Sequence, residues 1–250
     1  MATSASSAAS ASLPPDLFDQ TTLISLFSTL AILGLALAIS RRALDPTTTT
    51  GPYRVLFIWH AFDALIHFVL EGSFLYHCFF SSVPATAAGA KSFYPDPHNF
   101  LGTAARVHGA QAGGDNPFAQ LWMVYARADR RWAGVDLGVV SLELLTVLVV
   151  GPLAVLTCYD IAKKNVARAN IIMIVIATAE IYGGFMTFCP EWLVGNLNLD
   201  TSNFMYLWVY LVFFNTLWVW IPLYAIYVAS SDIVDAFRVR DAARAVKKTR

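Results

Sequence analysis

Five apolar runs, each long enough to cross a bilayer, restrict this chain more tightly than any other feature. They are Thr21–Ser40, Val55–Phe80, Leu137–Cys158, Ala169–Phe188 and Met205–Ala229. A hydrocarbon core about 30 Å thick takes about 20 helical residues to span. The expected fold is therefore all-α, an integral membrane bundle of five transmembrane helices. Composition agrees, since 57% of the residues are hydrophobic, only 14% are charged and the formal net charge is zero. Without a basic cluster inside the fold, the chain has no electrostatic footprint for nucleic acid. Cys78, Cys158 and Cys189 are odd in number and lack CxxC spacing, so they read as small buried hydrophobes.

Three regions follow from the pattern. Residues 1–20 form a tail that is Ala/Ser-rich over Met1–Pro15 and is expected to be disordered. It has no Lys or Arg, which argues against a cleaved signal peptide. Residues 21–229 form the membrane domain, interrupted by a long connection at Ser81–Pro117 that is rich in Ala, Gly, Ser and Pro. Residues 230–250 form a basic tail. Arg41, Arg42, Arg54, Lys163, Lys164, Arg168 and the basic residues of that tail fall on one side of the expected membrane. The other side holds Lys91, Arg106, Arg127, Arg130 and Arg131, all in the second connection. The positive-inside rule then puts the C-terminus in the cytosol and the N-terminus in the lumen. The final KKTR resembles a dilysine retrieval signal for the endoplasmic reticulum, and reads equally well as an ordinary basic juxtamembrane tail.

The second run carries ionisable residues. His67 and Glu71 are four apart, on one helical face, and His60 and Asp63 extend the same stripe backward. A carboxylate at mid-bilayer costs about 2.5–3.5 kcal/mol on insertion scales, so its presence asks for a use. Counting depth along each helix puts Glu143, in the first two turns of the third run, level with Glu71. Thr146 lies one turn beyond Glu143, and Gly151-Pro152 marks an expected kink. Asn215, Trp218 and Pro222 form a stripe on the fifth run, and Glu180 and Tyr182 come from the fourth. An imidazole, several carboxyls, an amide and an indole are thus expected to face one cavity. Such a set can protonate an alkene, stabilise the resulting cation on an aromatic face and remove a different proton. This is double-bond isomerisation through a carbocation, and it needs neither metal nor cofactor.

Plainer roles stand beside each assignment. Trp218 packs by default among many aromatics, Asn215 can join helices, and Glu180 can serve the fold alone. His60 and Asp63, nearer the cytosolic end, read as structural or solvated. His60, Asp63, His67 and Glu71 have helical spacing compatible with a metal site, but no HExxH or comparable motif appears. His77, His98 and His108 carry no readable signal.

Several segments together resemble the emopamil-binding protein family, the EXPERA-domain sterol Δ8–Δ7 isomerases and their non-catalytic relatives. They are IHFVLEG (Ile66–Gly72), QLWMVYARADRRW (Gln120–Trp132), LELLTVLVVGPL (Leu142–Leu153), EIYGG (Glu180–Gly184) and YLWVYLVFFNTLWVWIPL (Tyr206–Leu223). The resemblance implies a five-helix enzyme of the endoplasmic reticulum membrane, in contact with lipid, acting on a hydrophobic sterol or terpenoid, with dimers compatible with the family. It implies proton transfer by His67, Glu71 and Glu143, cation stabilisation by Asn215 and Trp218, and pocket positions for Thr146 and Tyr125. Asp129 and Arg131 resemble an ion pair that shapes a lumenal lid. The chain departs from the family in its long Ser81–Pro117 connection and in Gly184, where the family usually carries an acidic residue. Both departures touch the lumenal edge of the pocket and bear on the choice of substrate. Two other readings of the same scaffold are a protonation-initiated terpene cyclase of fungal secondary metabolism and a lipid- or sterol-binding protein without catalysis. The chain has no aspartate-rich Mg²⁺ motif, which argues against diphosphate ionisation but not against protonation-started cyclisation.

Overall fold

The computed structural model describes residues 20–85 and 99–248. The Ala/Ser-rich tail through residue 19, residues 86–98 of the second connection with Lys91 and His98, and the last two residues lie outside the described residues. Five long helices make up the body. The spans are Gln20–Ala43, Gly51–Phe80, Leu137–Ala162, Val166–Leu193 and Met205–Lys248. All five are long and apolar enough to cross a bilayer, which makes this a multi-pass membrane protein. The fifth helix continues through the basic stretch to Lys248, and residues 234–248 are exposed.

Local chemistry sets the helix ends. Arg41 and Arg42 occupy the last turn of the first span, where cations favour the helix dipole. Gly51-Pro52 opens the second span, at positions where a missing N–H costs nothing. Asp136 caps the third by accepting from the Val139 amide at 2.9 Å. Small residues let the helices approach closely. Ala36, Ala61, Ala169, Ala177, Ala225 and Ala229 are buried around Leu56, Phe57, Trp59 and Met173 from the first, second, fourth and fifth spans. Phe27, Leu148, Leu193 and Trp220 point outward, as lipid-facing side chains do.

Three of the spans contain widened π-helical turns, at Ile66–Glu71, Thr146–Val150 and Met205–Phe213. Each closes on an i→i+5 hydrogen bond, from Gly72 to His67, Gly151 to Thr146 and Phe214 to Val209. The second of these sits directly before Pro152, whose missing N–H already interrupts the ordinary ladder. The expected kink is thus realised as a change of pitch. The first two widened turns pack against each other through Gly151. A Cβ there would come within 3.0 Å of the Phe68 ring and 3.4 Å of the His67 Cβ.

One end of the bundle is closed by the second connection and the segment between spans four and five. Strands Ser82–Pro84 and Arg106–His108 pair antiparallel, and Gly109 (φ +104°) then passes too close to the Ala133 and Gly134 carbonyls for any side chain. Helix Pro117–Tyr125, capped by Asn116, brings Trp122 into a stack on Trp132 at 4.9 Å, with Phe74 against both. Arg131 ties the end together. Its guanidinium makes two hydrogen bonds to Asp129, at 2.7 and 2.9 Å, and donates to the Thr187 carbonyl at 2.6 Å. It also lies 3.8 Å from Glu191, which accepts twice from Asn198. Burial pushes the Asp129 carboxyl up, although Arg131 pulls against it.

Two tests follow from this packing. Arg131→Ala strands the buried Asp129 charge and should cost about 3–5 kcal/mol, read as a lowered thermal midpoint in detergent; an unchanged midpoint would show that the network bears no load. Gly151→Leu should cost about 1–3 kcal/mol by overpacking and also lower turnover, because it wedges the second and third spans apart beside His67. Gly151→Ala should leave both near wild type, since the Phe68 ring can yield.

Candidate active site

The second span supplies the centre. His60, Asp63 and His67 are almost fully buried, at 0–1% exposure, and the Glu71 side chain is 14% exposed. The widened turn takes more than four residues per revolution, so Glu71 falls nearly in line with His67. Glu71 Oε2 lies 2.5 Å from His67 Nδ1. On the other edge of the ring, Nε2 lies 3.1 Å from Asp63 Oδ1. Both nitrogens of His67 therefore face carboxyl groups.

Other spans complete the cluster. Glu143, from the third, brings its carboxyl within hydrogen-bonding reach of Glu71. The Thr146 hydroxyl lies 3.0 Å from both Glu143 Oε2 and the Glu143 carbonyl. Trp218, from the fifth, donates its Nε1–H to Asp63 Oδ1 at 2.8 Å, and its ring packs against Trp59 and Phe62. Glu180, from the fourth, meets Asp63. One ligand atom each from Asp63, His67 and Glu180 lies within 4.8 Å of the others, a spacing that a cation or a shared proton would satisfy. Acidic and imidazole groups from separate helices thus converge where water is excluded, an arrangement suited to holding and moving protons.

Asn215 and Tyr125 make a neighbouring pair. Asn215 Nδ2 lies 3.2 Å from the Tyr125 hydroxyl and also donates to the carbonyls of Tyr210 and Leu211, at the end of the third widened turn. Burial pushes the Tyr125 hydroxyl up strongly, and the nearby Asp129 and Glu143 add to that. It therefore stays neutral while accepting from Asn215. Tyr125 also packs edge-on against Trp122, Trp132 and Tyr210.

Several expectations need correction. Tyr182 does not join the cluster. It is 62% exposed and lines an outer apolar groove of about 380 Å³ with Thr178, Ile181, Phe185 and Ile226. Two residues along an α-helix is more than half a turn, so Tyr182 faces away from Glu180. Of the structural and solvated readings of Asp63 and His60, the solvated one falls, since both are fully buried. Asp63 is a direct partner of His67, Trp218 and Glu180, because the second span starts at Gly51 and residue 63 lies well inside the bundle. His60 is enclosed too, and among the described residues neither of its nitrogens finds a hydrogen-bond partner. The donors that group within 4.8 Å among the described residues are Asp63, His67 and Glu180, a set that includes neither His60 nor Glu71. His77 and His108 are held locally, by the Ser81 hydroxyl and the Cys78 carbonyl. The recurrence 63–67–71 was the available signal for Asp63. A lone carboxyl in the fourth apolar run was the signal for Glu180, and it does face the cluster.

Residues 117–229 match the EXPERA (EXPanded EBP superfamily) family, a segment that includes Glu143, Glu180, Asn215 and Trp218 but not His67 or Glu71. The chain is 29% identical to a probable 3-beta-hydroxysteroid-Delta(8),Delta(7)-isomerase of Arabidopsis thaliana over 68% of its own length and 61% of the relative's. It is 32% identical to the 3-beta-hydroxysteroid-Delta(8),Delta(7)-isomerase of Cavia porcellus over 44% of its length and 48% of the relative's. A protoglabretal synthase of Citrus sinensis is 28% identical over 68% of this chain and 65% of the relative. The chain therefore spans about half to two thirds of the length of these relatives. Residues 117–229 are thus similar to the EXPERA (EXPanded EBP superfamily) family, and the relatives named are similar to the chain over 44–68% of its length.

Proposed function

We propose that this protein is a membrane isomerase that shifts a ring double bond of a sterol or related isoprenoid by adding one proton and removing another. The observation that carries the reading is His67 held between Asp63 and Glu71, with the Glu143 carboxyl against Glu71. A proton held between Glu71 and Glu143 can pass to one alkene carbon. The alkene π pair becomes the new C–H bond and leaves a carbocation on the adjacent carbon. A base then takes a proton from a further carbon, and that C–H pair becomes the new double bond. Charge and atoms balance without a cofactor. The aromatic wall of Trp59, Phe62 and Trp218 supplies π faces that favour the cation. Names of the relatives support a sterol substrate whose double bond moves between the Δ8 and Δ7 positions.

A cyclase is the second reading, and the relative named protoglabretal synthase favours keeping it. There the cation would be captured by a second alkene before deprotonation. We also place the protein in the endoplasmic reticulum membrane with a cytosolic C-terminus, supported by the charge bias of the connections.

Expression in a host lacking its own Δ8–Δ7 isomerase, with a Δ8-sterol supplied in D₂O, should yield the Δ7 product carrying solvent deuterium. No conversion and no label at normal expression would remove the isomerase reading; a new ring in a prenylated substrate would establish the cyclase. Glu143→Gln and His67→Ala should each lower turnover by at least about 10²-fold, the scale of general acid–base loss. Near-full activity in either variant would show that the roles are misassigned.

A further inference from the structure

Glu180 has no place in the chemistry assigned so far, and its surroundings do not suit a structural carboxyl. It is 6% exposed. No donor among the described residues reaches either of its oxygens. One ligand atom each of Glu180, Asp63 and His67 lies within 4.8 Å of the others, and the group that Glu180 meets most directly is Asp63, a second carboxyl. Asp63 Oδ2 and His67 Nε2 likewise lack an aligned hydrogen-bond partner, although Nε2 lies 3.1 Å from Asp63 Oδ1. Trp218 donates to Asp63 Oδ1, but Asp63 Oδ2 and both Glu180 oxygens have no donor among the described residues. Buried carboxyl oxygens left so are held by something they share, a proton or a cation. The other groups around the pair are His60, His67, Glu71, Cys158 and the Trp218 N–H, and no Lys or Arg is among them.

We propose that Glu180 is a second catalytic carboxyl, sharing one proton with Asp63 and presenting its free oxygen to the substrate at the end of the site away from Glu143. This rests on the isomerase reading and deepens it. Isomerisation needs an acid at one carbon and a base at another, and the structure provides a carboxyl on each side of His67. Glu143 reaches Nδ1 through Glu71, and Glu180 reaches Nε2 through Asp63. After turnover the Glu143 side lacks a proton and the Glu180 side has gained one. The proton returns in single steps. An O–H bond breaks at Glu180 and one forms at Asp63; the Asp63 O–H breaks as an N–H forms at His67 Nε2. The N–H at Nδ1 breaks as an O–H forms at Glu71, which hands the proton to Glu143. His67 is therefore the relay and does not itself touch the reacting carbon.

The test uses the full-length protein in nanodiscs, with Glu180→Gln, Glu180→Asp and Asp63→Asn compared with wild type. Glu180→Gln should lower kcat by at least about 10²-fold with KM changed less than about threefold. It should also remove one limb of the kcat–pH profile, and Glu180→Asp should recover part of the rate. Infrared spectra of the wild type, without substrate, should show a protonated-carboxyl band that shifts in D₂O and is lost in both Glu180→Gln and Asp63→Asn. Wild-type turnover in Glu180→Gln, a loss confined to KM or to thermal stability, or one tightly held divalent cation per chain by elemental analysis would each overturn the proposal. If the wild type converts neither sterol nor prenylated substrate, the isomerase reading falls; the infrared band then decides whether Asp63 and Glu180 still share a proton. Should Glu180→Gln fail to fold, Glu180→Asp and Asp63→Asn carry the comparison.

Discussion

A bilayer interior offers no water to polar groups, so ionisable side chains placed there must satisfy one another. That constraint organises this molecule. Asp63, His67, Glu71, Glu143 and Glu180 come from three helices and are brought into a continuous chain of contacts with His67 at its centre. Around them the Thr146 hydroxyl and the Trp218 indole donate to carboxyl oxygens that would otherwise be bare. The same absence of water that makes the cluster expensive gives it chemical value. Protons held there cannot be lost to solvent, and a cation formed on a hydrocarbon meets no nucleophilic water.

The backbone departs from regular geometry where the cluster needs it. Widened turns occur at Ile66–Glu71, which holds His67, at Thr146–Val150, one turn past Glu143, and at Met205–Phe213, just before Asn215. Turns of this kind are rare and often mark functional sites. Here each changes the direction in which the following residues project. The missing side chain at Gly151 then allows two widened turns to lie against each other. At the loop-bearing end, the Arg131 network links the Asp129 segment to Thr187 and Glu191 of the fourth span. It fixes the helix that carries Tyr125, and Tyr125 in turn meets Asn215. Packing at that end is therefore connected to the polar interior through a short series of named contacts.

Much of this was legible from residue order. The five spans, the His67–Glu71 spacing and the level of Glu143 relative to Glu71 follow from apolar run length and a rise per residue that tertiary structure hardly alters. Tyr182 was misplaced because residue order does not fix rotation about a helix axis. Tyr182 faces outward and Glu180 inward on the same helix, and a helix that is apolar on nearly every side gives no pattern from which to choose between them. Asp63 and His60 were assigned to the membrane edge because depth was counted from the apolar run, whereas the helix itself begins earlier, at Gly51.

Residue order by itself determined that the chain must cross a bilayer as helices, and that acids and an imidazole would be buried in doing so. Both conclusions rest on local quantities, the length of apolar runs and the spacing of side chains along one helix. Only the tertiary structure decided which acids meet: Asp63 on one nitrogen of His67, Glu71 on the other, Glu143 and Glu180 beyond them. Those contacts depend on how helices from distant parts of the chain are rotated against one another, and on widened turns whose extra residue shifts every later side chain. No single segment contains that information, because it arises when the segments pack.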